Sequence, residues 1–197
     1  VVADRVVPHD NGWYTPDTFL HLGVYNGAIP DGRHYRRDWP GSASLFRIAR
    51  DAASSVTWPK TPPQIFTVTL ASGDQVIASA NKKQWLVTTF NALAVDMESA
   101  AVAQIATLNN VPWLAIRAVS DQADASININ VSRLITYDET PPSKTQTARQ
   151  MIAALITDPD QLKAIYQLRQ GIRLAAKHAA LVTIATVRNL QQKAPAL

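Results

Sequence analysis

The 197 residues include no cysteine. That excludes a disulfide framework, a thiolate metal site of the zinc-ribbon kind and a thiol nucleophile, and it leaves the compartment open. Aromatic side chains are few, at 7%, and charge of neither sign dominates. The 19 Lys and Arg against 15 Asp and Glu give a formal net charge of +4 at pH 7. So small and scattered an excess accommodates an anionic ligand without requiring nucleic acid. No apolar run reaches membrane-spanning length, there is no internal repeat or low-complexity tract, and the composition is not that of a disordered chain. The chain has neither an initiating methionine nor signal-peptide architecture. It opens directly on the strand-like Val1-Val2-Ala3-Asp4-Arg5-Val6-Val7, so the expectation is a piece of a longer protein. What is present is an apolar fraction of 47% in a chain long enough for one domain with a real core.

Patterning divides the chain into alternating strand and helix. Strands are predicted over 1–7, 64–70, 92–95 and 111–119, the last almost wholly apolar apart from Arg117 and so expected to be covered on both faces. Helices are predicted over 42–55, 82–90 and 102–109. In the last of these, Ala101, Val102, Ile105 and Leu108 recur at three- and four-residue steps and form the expected inward face. Residues 145–156 are predicted helical, and 125–144, with Pro141-Pro142, reads as an inserted loop. Asp158-Pro159 starts a long helix with Leu162, Ile165, Leu168, Ile172, Ala175, Ala179 and Val182 on one side. Arg169, Arg173 and Lys177 form a solvated face of it. The segment 8–37 is rich in Gly, Pro, Asn and Asp yet carries Trp13, Tyr14, Phe19, Tyr25 and Tyr35, so an ordered surface excursion is expected. His9-Asp10 reads as a polar turn in which the Asp bonds its own backbone. The pattern as a whole predicts an α/β fold, a three-layer α/β/α sandwich with a central mixed sheet.

Two motifs concentrate the chemistry. Asp96-Met97-Glu98-Ser99-Ala100-Ala101 precedes a helix, and Arg117-Ala118-Val119-Ser120-Asp121-Gln122-Ala123-Asp124 follows a strand. Taken singly, Asp96 reads as a helix N-cap, Glu98 as a first-turn acid, Met97 as core, and Asp121 and Asp124 as turn residues. Taken jointly, they put an acid at the carboxyl end of a buried strand, where open α/β sheets place their ligands.

These motifs, in this order over 92–124, resemble the nucleoside phosphorylase and nucleosidase superfamily, most of all its 5′-methylthioadenosine/S-adenosylhomocysteine nucleosidase branch. The resemblance extends more weakly back through Ser72-Gly73-Asp74 to Val1. It implies a phosphorylase/hydrolase-like sheet lacking its N-terminal strands, a single domain over 1–197 with an insertion at 125–160, and a water-activating glutamate upstream of Val1. It further implies a purine base held just after Ser-Gly-Asp, at Val76 and Ile77. Here the family's stacking ring is replaced by Val76, so stacking is weaker or the ring comes from elsewhere. The excursion at 8–37 corresponds to a dimer-interface loop, and His9-Asp10 falls where the branch also has a His-Asp pair.

The chemistry such a site needs can be built from the residues. Cleaving a purine N-glycosidic bond takes a proton for the departing base, stabilisation of positive charge on the ribose, and a nucleophile. Asp121 supplies the proton, and Glu98, a double acceptor, anchors a vicinal diol. Met97 gives an apolar surface, Ser120 orients the Asp121 carboxyl, and Arg117 holds the geometry by pairing with an acid. The expectation is hydrolysis of an adenosine-type nucleoside with no cofactor and no metal, by a cytoplasmic homo-oligomer, a dimer, with the periplasm left open and no nucleic-acid or membrane partner. The alternatives are a phosphorolytic enzyme and a non-catalytic nucleoside-binding or storage protein on the same scaffold.

Overall fold

The computed structural model describes residues 1–25, 35–58, 62–123 and 159–193. The predicted helix at 145–156, the insertion as far as residue 158 and Asp124 lie outside them.

Strand β1 (Val2–Pro8) is apolar at both ends and interrupted by Asp4-Arg5, the only exposed pair in it. It runs parallel to β7 (Thr67–Ser72), with a register shift between Ala3 and Arg5 where that polar pair intervenes. Strand β7 in turn runs parallel to β8 (Ala92–Asp96). Two short antiparallel strands share the other edge of β1: β6 (Trp39–Pro40) opposite Arg5 and Val6, and β9 (Ala115–Ile116) opposite Val2 and Ala3. The sheet is therefore mixed, and its three parallel strands end level, at Pro8, Ser72 and Asp96.

Two of the helices begin where a serine side chain caps them. Ser42 Oγ accepts the Leu45 N–H at the start of α1 (Ala43–Ser55), and Ser79 Oγ accepts the Lys82 N–H at the start of α2 (Ala80–Phe90). Asn91, left-handed at φ 52, closes α2. Helix α3 spans Ser99–Leu108, and α4 spans Pro159–Lys193 from the expected Pro start. Successive residues of β7 sort the layers. Leu70 enters a cluster with Ala3, Val6, Trp39 and Ala103 of α3, whereas Ala71 enters one with Ile77 and Leu86 of α2. Strand side chains alternate faces, so helices cover both sides of the sheet and the three-layer α/β expectation is met.

Four details differ from the sequence expectations. The strand expected at 64–70 begins only at Thr67, and Ile65 and Phe66 are exposed before it. The strand expected at 111–119 contracts to Ala115–Ile116, and Val111 and Val119 lie exposed. The reason is the crowded edge of β1, where β6 already holds Arg5 and Val6 and leaves β9 only Val2 and Ala3. Helix α3 turns the opposite way from its apolar stripe. Ala103 is fully buried, while Val102 and Ile105 are 60% and 59% exposed. The surface offered by Val6, Trp39 and Leu70 admits only small side chains, so the helix approaches on its alanine face and the branched residues face outward. Finally, Ile172 of α4 is exposed although Ala175 and Val182 are buried as expected. Arg169, Arg173 and Lys177 are all exposed, as a solvated face requires.

The described part of the excursion is ordered as expected. Strands β2 (Gly12–Tyr14) and β3 (Phe19–His21) form a hairpin, and β4 (Val24–Tyr25) pairs with β5 (Tyr35–Arg36). Phe19 meets Trp85 edge-on and His21 meets Phe90, which fastens the hairpin to α2.

Candidate active site

The level carboxyl ends of β1, β7 and β8 deliver three polar turns side by side: His9-Asp10, Gly73-Asp74 and Met97-Glu98. Their connections are long-range. Asp10 Oδ2 accepts the Asp74 N–H at 2.6 Å, so Asp10 clamps the Ser-Gly-Asp turn rather than bonding its own backbone as expected. A Cβ on Gly73 would lie 2.5 Å from Asp10 Cγ, and only glycine allows the clamp to close. His9 beside it is fully buried, with neither ring nitrogen bonded to any described residue, and burial pushes its imidazole below the usual histidine range. Burial does the same to His21, whose Nε2 lies 2.6 Å from the Pro8 carbonyl.

The second motif folds onto the first through Arg117. Its Nε lies 2.7 Å from Asp96 Oδ2 and its Nη2 lies 3.3 Å from Glu98 Oε2. Ser99 Oγ bonds Asp96 Oδ2 at 2.5 Å and accepts from Arg117 at 3.1 and 3.3 Å. Asp96 Oδ1 also takes the Ser99 N–H at 3.2 Å, so it caps the first turn as expected while serving as the main partner of Arg117. Buried Ser72 adds a second cap from β7, its Oγ accepting the Ala100 N–H at 3.0 Å. Four residues beyond Arg117, Asp121 accepts the Ser120 hydroxyl on Oδ2 and the Ala123 N–H on Oδ1, both at 2.8 Å. The Ser120 contact is the one the sequence predicts. The Ala123 contact shows that Asp121 is also a turn residue.

Asp96, Arg117, Ser120, Asp121 and Ile77 line one cavity of about 510 Å³ whose remaining walls are largely apolar, including Leu70, Leu86 and Val95. An apolar cleft with a few converging polar groups is the usual form of a small-molecule site. The other expected site residues lie outside it. Val76 is 71% exposed and Met97 42% exposed, and neither lines the cavity. The Glu98 carboxylate is outward as well, held at the rim by Arg117. Lys83, in the first turn of α2, lines the cavity and was missed by sequence reasoning. The Lys82-Lys83 pair just inside the Ser79 cap was the available signal. Among the described residues, no three His, Asp or Glu side chains converge as a metal would need.

Residues 1–158 match the family described as the phosphorylase superfamily. A 5′-methylthioadenosine/S-adenosylhomocysteine nucleosidase from Mycobacterium bovis is 31% identical over 150 residues, covering 68% of this chain and 56% of that protein. An aminodeoxyfutalosine nucleosidase from Helicobacter pylori is 33% identical over 89 residues, 45% of this chain and 36% of that protein. The chain thus spans about half the length of the longer match. Among solved structures, the Neisseria meningitidis 5′-methylthioadenosine/S-adenosylhomocysteine nucleosidase in complex with methylthio-immucillin-A superposes with a TM-score of 0.59 at 20% identity, covering 94% of this chain and 59% of that one. At that identity the likeness is one of fold.

Proposed function

The chain belongs to the phosphorylase superfamily, and on that premise we propose that the protein hydrolyses the N-glycosidic bond of an adenosine-type nucleoside, of the methylthioadenosine or S-adenosylhomocysteine class. Asp121 protonates the departing base. Ser120 fixes the rotamer of its carboxyl by bonding Oδ2. Glu98 takes the ribose hydroxyls on its other oxygen, since Arg117 already occupies Oε2. Arg117 is a positioning residue that ties Glu98 to the Asp96 end of β8. Ile77 forms the apolar wall against the base, and Val76 and Met97 serve the site only at its rim. The observation that carries this reading is the Arg117 fork. It joins both motifs, and the Ser120–Asp121 pair that follows opens into the same cavity.

The relatives that match this chain carry nucleosidase names, which favours water over phosphate as acceptor. We assign one domain over 1–197 and a homo-oligomeric protein. Trp13 and Tyr14 are 68% and 72% exposed on the β2–β3 hairpin, with Tyr25 exposed beside it, more aromatic surface than a monomer usually leaves to water. The test of the activity is direct: the intact protein is incubated with adenosine-type nucleosides, with and without phosphate, and free base is measured. Release without phosphate is expected. Release that depends on phosphate overturns hydrolysis, and no release from any nucleoside overturns the enzymatic reading.

A further inference from the structure

We infer that Gly171 of α4 is a positioning residue, whose missing side chain lets the helix rest on the Ser120 carbonyl and so fixes the Ser120–Asp121 pair toward the cavity. The inference rests on the assignment of Asp121 as proton donor.

Gly171 is the only glycine in the 35-residue α4, and a mid-helix glycine costs about 1 kcal/mol relative to alanine. Tertiary contact gives the reason for tolerating it. A Cβ at this position would lie 2.5 Å from Ser120 O and 3.6 Å from Ser120 C, where ordinary contact begins near 3.4 Å. The neighbour is backbone and cannot swing aside as a flexible side chain would.

Among the described residues, the supported segment has little else behind it. Strand β9 ends at Ile116, so Ala118, Val119 and Ser120 leave the sheet. These three also separate two spaces. One is the 510 Å³ cavity of Asp121, and the other is a cavity of about 490 Å³ between α1, α4 and the start of β1, bordered by Trp58, Leu174 and His178. A thin wall with a cavity on each side holds its shape only where something presses on it. At Ser120 that contact is Gly171, and the peptide it touches carries the next residue, Asp121.

The test uses the intact protein. In Gly171→Ala the added methyl drives the Ser120 carbonyl back by roughly 1 Å, and a shift of that size at a reacting group costs about 10²-fold in rate. The expected result is a fall in kcat of about 10-fold to 100-fold, with KM for the nucleoside changed by less than about threefold because the Arg117–Glu98 pair is untouched. The loss should be smaller in a Ser120→Ala background, since the two substitutions act on one hydrogen bond. The Asp121 carboxyl ¹³C resonance should move in Gly171→Ala as it does in Ser120→Ala. An unchanged kcat, or a changed melting temperature with an unmoved Asp121 resonance, overturns the inference. Should Gly171→Ala not fold, Leu174→Ala loosens the next turn of α4 beside the same wall without adding bulk. Its kcat is expected to fall, and an unchanged value overturns the inference. If the unsubstituted protein releases no base, the functional reading fails by itself, and the Asp121 resonance alone then decides the role of Gly171.

Discussion

Among single residues, Glu98 and Asp121 carry opposite kinds of work, and their variants separate them. Asp121→Asn keeps size and hydrogen bonding but removes the transferable proton, so turnover should fall by about 10²-fold or more while nucleoside binding survives. Glu98→Gln leaves one acceptor oxygen where two were available and weakens the Arg117 fork, so both affinity and turnover should drop. In that variant, 2′- or 3′-deoxy nucleosides should lose their disadvantage. Turnover with full and deoxy substrates checks both outcomes, and undiminished activity in Asp121→Asn would end the proton-donor assignment. His9 makes a prediction about stability. Its imidazole is depressed first by burial, then further by Lys82 and His21, against the pull of Asp10. The folded state therefore binds fewer protons than the unfolded chain near the ordinary histidine value of about 6.5. The stability present above that pH is lost as pH falls through it. His9→Phe removes the titration and two ring nitrogens that have no partner among the described residues, and melting temperatures from about pH 7.5 down to about pH 5 should decline less steeply than in the parent.

Secondary-structure elements are placed by what their neighbours leave room for, and α3 is the clearest case. Its buried face is Ser99 and Ala103, with Ala100 and Ala106 half-buried behind them, and its branched residues look outward. Ala103→Leu should cost roughly 1–3 kcal/mol, since the space beneath it is filled by Val6, Trp39 and Leu70. Ile105→Gln should change protomer stability by no more than about 0.5 kcal/mol. Denaturant melts of the two variants settle which face packs, and the reverse ranking would restore the inward stripe that periodicity predicts. Helix α4 shows the same effect at one position, because its approach to the 117–120 segment is set by the residue that lacks a side chain.

For the whole molecule, an oligomer is expected to use the aromatic surface of the β2–β3 hairpin. Trp13→Ala should shift the sedimentation of the intact protein toward the monomer, and a strict monomer in the parent would rule the interface out. None of the helices among the described residues is long and apolar enough to cross a membrane. How much of this was legible in advance depends on distance along the chain. The sequence by itself determined the α/β order, the Ser42 start of α1 and the Pro159 start of α4, the solvated face of α4, and the two motifs that converge at Arg117, Ser120 and Asp121. Those features rest on residues within a turn or two of one another, where period and capping chemistry act directly. Only the tertiary structure decided that the strand at 111–119 keeps two paired residues, that α3 buries its alanines, that Val76 and Met97 face away from the cavity, and that Asp10 clamps Gly73-Asp74. The strand, helix and clamp are fixed by partners far away in sequence, the clamp by residues 64 positions apart. A local pattern states which side chains want burial, but the surface that arrives to bury them has its own shape, and that shape chooses among them.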